Sequence, residues 1–137
     1  MKKKKIAVVT GCCGFIGSHV TEFLVQKGYY VIGIDNLSTG NLRFLNKINK
    51  KKFKFYKIDL LKNKLDKCFN KAQIIFHFAA NADVRFGLSH RDKDIKQNIL
   101  VTHKILEQMV KYQIKKIIFS STGSVYGETK EIPTKEN

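Results

Sequence analysis

The sequence predicts one α/β domain built on a doubly wound parallel sheet. Three observations carry that prediction. Five short apolar runs alternate with helical or loop segments along the chain. The runs are continuous stretches of Ile, Val, Phe and Tyr, as expected of parallel strands covered on both faces. A glycine-rich turn joins the first run to the first helical pattern. The 137 residues amount to one domain, and no internal repeat, linker or boundary divides 1–137.

Taken in order, Lys5–Thr10 is the first strand. Phe15–Lys27 follows as a helix, with Ile16, Val20, Phe23, Leu24 and Lys27 on a helical stripe and Lys27-Gly28 as its stop. Tyr29–Asp35 and Phe53–Ile58 are the second and third strands. A short helix falls within Asn63–Asn70, and Ile74–Phe78 is the fourth strand. Asp94–Tyr112 is the longest helix, with Ile95, Ile99, Thr102, Ile105, Leu106 and Met109 expected on one face. Lys116–Ser121 is the fifth strand, and a polar tail runs from Gly127 to Asn137 around Pro133, the single proline.

Composition narrows the function classes. No run of about 18 apolar residues could span a membrane. The start, Met1-Lys2-Lys3-Lys4-Lys5 before Ile6-Ala7-Val8-Val9, lacks the h-region and cleavage pattern of a signal peptide, which predicts a cytoplasmic protein. Cys12, Cys13 and Cys68 suit a reducing compartment, and no CxxC pair predicts a metal. Cys13 falls near a helix start, where a thiolate is favoured, so it is a candidate for oxidation. The net charge of +15 raises the question of nucleic acid, yet only Arg43, Arg85 and Arg91 are arginines among 26 basic residues. Base and phosphate readers lean on the planar guanidinium, so no specific nucleic-acid partner is expected. Lys47 to Lys57 is the stretch best placed for weak polyanion attraction.

The strongest chemical signal is Thr10-Gly11-Cys12-Cys13-Gly14-Phe15-Ile16-Gly17, a GxxGxxG spacing between a strand and a helix. Gly11 permits the sharp turn, Gly14 lets a diphosphate approach the backbone, and Gly17 lets the helix pack close to the sheet. The amides and dipole of the helix start then attract the phosphates. Asp35, at the end of the second strand, suits the hydroxyls of an adenosine ribose. It would repel a 2′-phosphate, which favours NAD over NADP. Asn36 opens a polar loop that could line the same ribose, and Asp59-Leu60, after the third strand, could read an adenine edge. His77, between two phenylalanines on a strand, reads as a packed, hydrogen-bonded core residue.

Phe78-Ala79-Ala80 after the fourth strand and Ser120-Ser121-Thr122-Gly123-Ser124-Val125-Tyr126-Gly127 after the fifth complete an ordered set of motifs. With them the whole chain resembles the extended short-chain dehydrogenase/reductases, within them the NAD-dependent epimerase/dehydratase group typified by UDP-glucose 4-epimerase. The resemblance implies an NAD-binding Rossmann domain over 1–137, a doubly wound parallel sheet truncated after the fifth strand. Gly11, Gly14, Phe15, Ile16 and Gly17 would hold the pyrophosphate, Asp35 and Asn36 the ribose, and Asp59 and Leu60 the adenine. Phe78, Ala79 and Ala80 would wall the cofactor, Asn98 would support the active site, and Ser120 and Ser121 would line the nicotinamide. Thr122 matches the hydroxyl of the catalytic Ser/Thr–Tyr–Lys set, and Ser124 would face the sugar.

The same resemblance places a tyrosine and a lysine four apart on a helix beyond Asn137, so the domain is expected to be incomplete and inactive alone. The pairs Tyr126–Lys130 and Tyr112–Lys116 match that spacing but sit in the wrong context. Family dehydratases carry Asp-Glu after the threonine, whereas Gly123 and Ser124 stand here, which disfavours 4,6-dehydration. The expected parent is a homodimeric UDP-hexose 4-epimerase acting on a nucleotide sugar through bound NAD. A 4,6-dehydratase, a reductase of the same family and a non-catalytic NAD-binding fragment are the alternatives. The fifth strand should leave Ile117, Ile118 and Phe119 partly uncovered.

Overall fold

A computed structural model of the chain describes residues 4–81, 83, 90, 92–129 and 131–135. Arg85, Arg91, Lys130 and Asn137 lie outside the described residues. Strands β1 (Ile6–Thr10), β2 (Tyr30–Asp35), β3 (Phe53–Lys57), β4 (Ile74–His77) and β5 (Ile117–Phe119) form one sheet in the order β3-β2-β1-β4-β5. Every pairing is parallel. Each expected strand is present, trimmed by one or two residues at its ends. The strand order reverses at β1, which pairs Val9 with Gly33 of β2 on one side and with Phe76 of β4 on the other.

Alternation along β1 divides the core in two. Ala7 and Val9 pack with Val31 and with Leu24 and Val25 of helix α1 (Phe15–Gln26). Val8 packs on the opposite face with Ile32, Ile34 and Ile75, with Phe69 of helix α2 (Asp66–Phe69), and with Val101 and Ile105 of helix α3 (Val101–Lys111). All of these are buried, so both faces of the central strands are covered.

The helix faces differ from the expected stripes. In α1 the buried residues are Gly17, Ser18, Thr21, Leu24 and Val25, while Ile16 and Phe23 are exposed. Close approach to the sheet decides this: the small residues turn inward because a Cβ at Gly17 would lie 2.0 Å from the Gly11 carbonyl oxygen. The long helix has three stretches, an α turn at Asp92–Asp94, a π-helical segment at Ile95–Leu100, and α3. The π segment carries more residues per turn than an α-helix and rotates the preceding side chains about the axis. Within α3, Ile105 and Met109 face the core as expected and Leu106 is exposed, while upstream in the π segment Ile95 and Ile99 are 53% and 62% exposed.

β5 is the sparsely covered edge. Ile117 is half-buried, and Ile118 and Phe119 are exposed, as the sequence led one to expect. No helix among the described residues is long and apolar enough to cross a membrane.

Candidate nucleotide-binding site

Because the strands run parallel, their C-terminal ends share one edge of the sheet. The turn from Gly11 follows β1, Asp35 ends β2, Asp59 lies just past β3, Phe78 follows β4, and Ser120 follows β5. β2 and β4 flank β1 at the point where strand order reverses, the usual place for a ligand crevice in an open α/β sheet.

Gly11 adopts φ +69°, and its N–H donates to the Ile34 carbonyl at 2.8 Å. A side chain there would also meet the Phe78 and Ala79 backbone at 2.8 Å. Gly14 is different: its added Cβ would find only the Gly11 carbonyl oxygen, at 3.3 Å. Internal packing therefore asks little of Gly14, and the open side of the turn is left free of side chains. Gly14 caps α1 in an extended conformation, with no side-chain hydrogen bond and no acid in the first turn. The first turn of the helix thus carries neither a capping side chain nor an acid of its own, which suits an anion. Phe15 and Ile16, beside those amides, are 73% and 56% exposed.

Asp35 is half-buried. Its Oδ2 accepts from the Cys13 N–H at 2.9 Å and its Oδ1 from the Leu37 N–H at 2.8 Å. Gly40 lies against the carboxylate, since a Cβ there would be 3.1 Å from both oxygens. Asn36 is exposed and closes a local turn by accepting the Ser38 N–H at 2.9 Å. Asp59 shapes its own loop as well. Its Oδ1 accepts the Leu61 N–H at 3.0 Å, while its own N–H donates to Asn63 Oδ1 at 2.9 Å. The Leu60 side chain belongs to the core.

The exit of β4 is fastened to β1 by Thr10, whose buried Oγ1 accepts from the Phe78 and Ala79 N–H groups, both at 3.3 Å. Ala80 is exposed. His77 lies beneath, with Nδ1 2.6 Å from Thr10 Oγ1 and Nε2 3.1 Å from Thr102 Oγ1. Thr102 gives its own proton to the Asn98 carbonyl at 2.6 Å, so it accepts from Nε2–H. Nδ1 is then the acceptor, facing the Thr10 hydroxyl. Burial holds the ring neutral, with its pKa pushed down to about 4. The ring stacks on Phe119 and has the packed, hydrogen-bonded core role expected of it.

Asn98 lies in the π segment, where Thr102 uses its hydroxyl to satisfy the Asn98 carbonyl. Its Oδ1 accepts the Asn81 N–H at 2.7 Å, and Asp94 Oδ1 accepts from Asn81 Nδ2 at 2.8 Å and Asn98 Nδ2 at 3.3 Å. Asn81 and Asp94 thus tie the β4 exit to the long helix. Sequence reading missed both, and only the position of Asn81 right after Ala80 signalled it. After β5, Ser120, Ser121, Thr122 and Ser124 are all exposed. Thr122 caps the 3-10 turn Gly123–Tyr126, with Oγ1 accepting the Ser124 N–H at 3.2 Å.

The two tyrosine–lysine pairs resolve differently. Tyr126 lies in that 3-10 turn, and Lys130 is outside the described residues. Tyr112 donates to the Asp66 carboxylate, as does Lys111, which ties α3 to α2. Those bonds hold the Asp66 pKa down at about 2 and push that of Tyr112 up, opposite to what a proton-transfer tyrosine needs. Cys13 also departs from expectation. Burial, then the Asp35 charge, raise its thiol to about 11, and burial raises Cys12 further. Desolvation outweighs the helix start, so both are held as thiols and not as reactive thiolates.

A glycine turn on an uncapped helix start, with an acid ending the next strand, defines a dinucleotide-binding domain of the Rossmann class. The chain belongs to the NAD dependent epimerase/dehydratase family, whose model matches residues 7–137. It is 37% identical over 133 residues to a UDP-glucose 4-epimerase of Halalkalibacterium halodurans, covering 95% of this chain and 38% of that protein. A UDP-N-acetylglucosamine 4-epimerase from Methanobrevibacter ruminantium, solved with UDP-N-acetylmuramic acid, superposes with a TM-score of 0.88 at 38% identity. That match covers 98% of this chain and 43% of the other. The Bifidobacterium longum UDP-glucose 4-epimerase, solved with NAD+ and UDP, gives 0.85 at 33% identity, covering 96% and 41%. The chain spans about two fifths of the length of the curated relatives it matches.

Proposed function

We propose that residues 1–137 are the NAD-binding part of a nucleotide-sugar epimerase acting on UDP-hexoses. The observation that carries this reading is the conjunction at the β1 crevice. An uncapped α1 start and a side-chain-free turn at Gly14 face the same edge as the Asp35 carboxylate. The residues fit the cofactor: the amides from Gly14 to Gly17 would take the pyrophosphate, and Asp35 with Asn36 the adenosine ribose. Asp59 and Leu60 would border the adenine; Phe78, Ala79 and Ala80 would wall the dinucleotide, with Ser120 and Ser121 on the nicotinamide side.

Bound NAD would supply reversible oxidation of a sugar carbinol, by taking hydride and returning it. Thr122, exposed at the end of β5, would hydrogen-bond the reacting sugar oxygen, and Ser124 would sit beside the sugar. Asn98 would fix the β4 exit through Asn81. Gly123 and Ser124 offer no carboxylate for eliminating water, which supports epimerisation over dehydration. No tyrosine–lysine pair among the described residues is arranged for proton transfer, so residues 1–137 by themselves should bind cofactor without turning over sugar nucleotide. The exposed Ile95, Ile99 and Leu106 support a homodimer for the whole enzyme, and a cytoplasmic setting suits its chemistry.

Calorimetric titration of the chain with NAD and NADP tests the reading. NAD should bind more tightly, Asp35→Ala should reduce the discrimination, and Gly14→Val should abolish both. Equal NAD and NADP affinity in the unmutated chain would overturn the assignment of Asp35.

A further inference from the structure

The sequence offers no spaced cysteine pair, but the fold brings a third donor to the adjacent thiols. The Cys12 and Cys13 sulfurs are 3.9 Å apart, and with an Asp35 carboxylate oxygen they lie within 4.8 Å of one another. A tetrahedral cation with sulfur bonds of roughly 2.3 Å would hold two thiolates about 3.8 Å apart. The observed sulfur separation therefore already matches that of a chelated pair. Two glycines let these groups pack together: a Cβ at Gly33 would sit 2.8 Å from Cys12 Sγ, and one at Gly40 would sit 2.8 Å from Cys13 Cβ and 3.1 Å from both Asp35 oxygens. Asp35 is oriented toward Cys13 by the Cys13 N–H it accepts.

We propose that Cys12, Cys13 and Asp35 form a site for a thiophilic divalent cation of the Zn2+ class, and that this cation and the dinucleotide exclude each other. The second half rests on the dinucleotide reading above; the first half does not. Binding forms two sulfur–metal bonds and one carboxylate–metal bond, releases the two thiol protons to solvent, and changes no oxidation state. Three protein ligands leave a fourth position for water. Exclusion follows from Asp35: a carboxylate oxygen engaged with a cation is no longer free for ribose hydroxyls. Metal held under the Asn36–Asn41 loop would also alter the turn that shapes the phosphate site, since the Asn41 N–H donates to the Cys13 carbonyl. Cys68 lies in the opposite core cluster and takes no part.

The test is titration of the reduced chain with Co2+ and Zn2+ under anaerobic conditions. Co2+ should give thiolate-to-cobalt charge-transfer absorption saturating at one equivalent, and Zn2+ should displace it. The band should vanish in the double variant Cys12→Ser/Cys13→Ser. Affinity should weaken more than about tenfold in Asp35→Asn, and the band should persist in Cys68→Ser. In the unmutated chain, Zn2+ should protect Cys12 and Cys13 from alkylation more than Cys68, a readout that requires no variant to fold. NAD should raise the apparent Zn2+ dissociation constant, and Zn2+ should raise that of NAD by the same factor. Absence of the charge-transfer band in the folded chain, or its survival without both cysteines, would overturn the site. Zn2+ and NAD binding without mutual effect would overturn the exclusion. A chain that binds Zn2+ but not NAD would support the cation site and overturn the dinucleotide reading instead.

Discussion

His77 makes folding stability depend on pH in a calculable way. Its ring is buried between the hydroxyls of Thr10 and Thr102, and its pKa falls from 6.5 to about 4 because burial disfavours the imidazolium. Between those values the unfolded chain carries a proton that the folded chain refuses, so stability rises with pH there. The contribution is fully present above pH 6.5, declines as pH falls through that value, and is gone near pH 4, where the folded ring also takes the proton. A difference of about 2.5 units corresponds to about 3 kcal/mol over the whole window. Against a typical domain stability of about 5–15 kcal/mol that is a large share. The assay is urea unfolding at pH 7.5 and pH 5 for the unmutated chain and for His77→Gln. Whatever His77→Gln costs at pH 7.5, the unmutated chain should lose about 2 kcal/mol more than the variant on going to pH 5. His19, His90 and His103 are exposed and present in both chains, so they cancel. Equal losses in the two chains would show that the folded ring accepts a proton readily, and the closed Thr10–His77–Thr102 network would be wrong.

Gly17→Ala should destabilise the fold by at least about 1–3 kcal/mol and abolish NAD binding, since its Cβ would fall 2.0 Å from a backbone oxygen. An unchanged melting temperature would refute that contact. Asp66 has a lowered pKa, so its pairing with Lys111 and Tyr112 stabilises the fold above about pH 3.8 and fades as pH falls toward 2. The stability gap between the unmutated chain and Asp66→Asn should therefore narrow over that interval in acid titrations followed by circular dichroism. The exposed β5 edge should pair with other copies once salt screens the +15 charge, so sedimentation should show association rising with ionic strength. A salt-independent monomer would refute it.

The fold was legible where physics acts locally. The central strands β1 and β2, covered on both faces, are apolar runs, and the ends of all five strands were found to within one or two residues. Gly11 and Gly17 were legible because their turn and their helix contact are close in sequence. What escaped depends on distant partners. His77 reads as a core histidine, but Thr10, 67 residues before it, and Thr102, 25 after it, decide its tautomer. Asn81 and Asp94 meet through a loop whose closure no periodicity announces. The long helix misled for a different reason, because a stripe counted at the α-helical period cannot anticipate six residues of wider turn.

The error in α1 is the most informative one about function. Counting apolar residues inward assumes that folding alone explains where they lie. Here the sheet takes Gly17, Ser18 and Thr21, and the larger Phe15 and Ile16 are left outside at the helix start. Single exposed apolar residues are ordinary. Two adjacent ones in an uncapped first turn, above an open glycine and beside no acid of that turn, are a poorer solution for a free helix than a capped polar start. The same arrangement favours binding: apolar side chains there cannot compete with a ligand for the helix amides, as a Ser, Asp or Asn cap would. The sequence thus gives up a capping interaction worth roughly 0.5–2 kcal/mol and keeps the amides available. Replacing Gly14 by Asp would restore a cap, and the reading then requires opposite changes in one protein, with greater thermal stability and weaker NAD binding. Both quantities moving the same way would show that the bare helix start has some other cause.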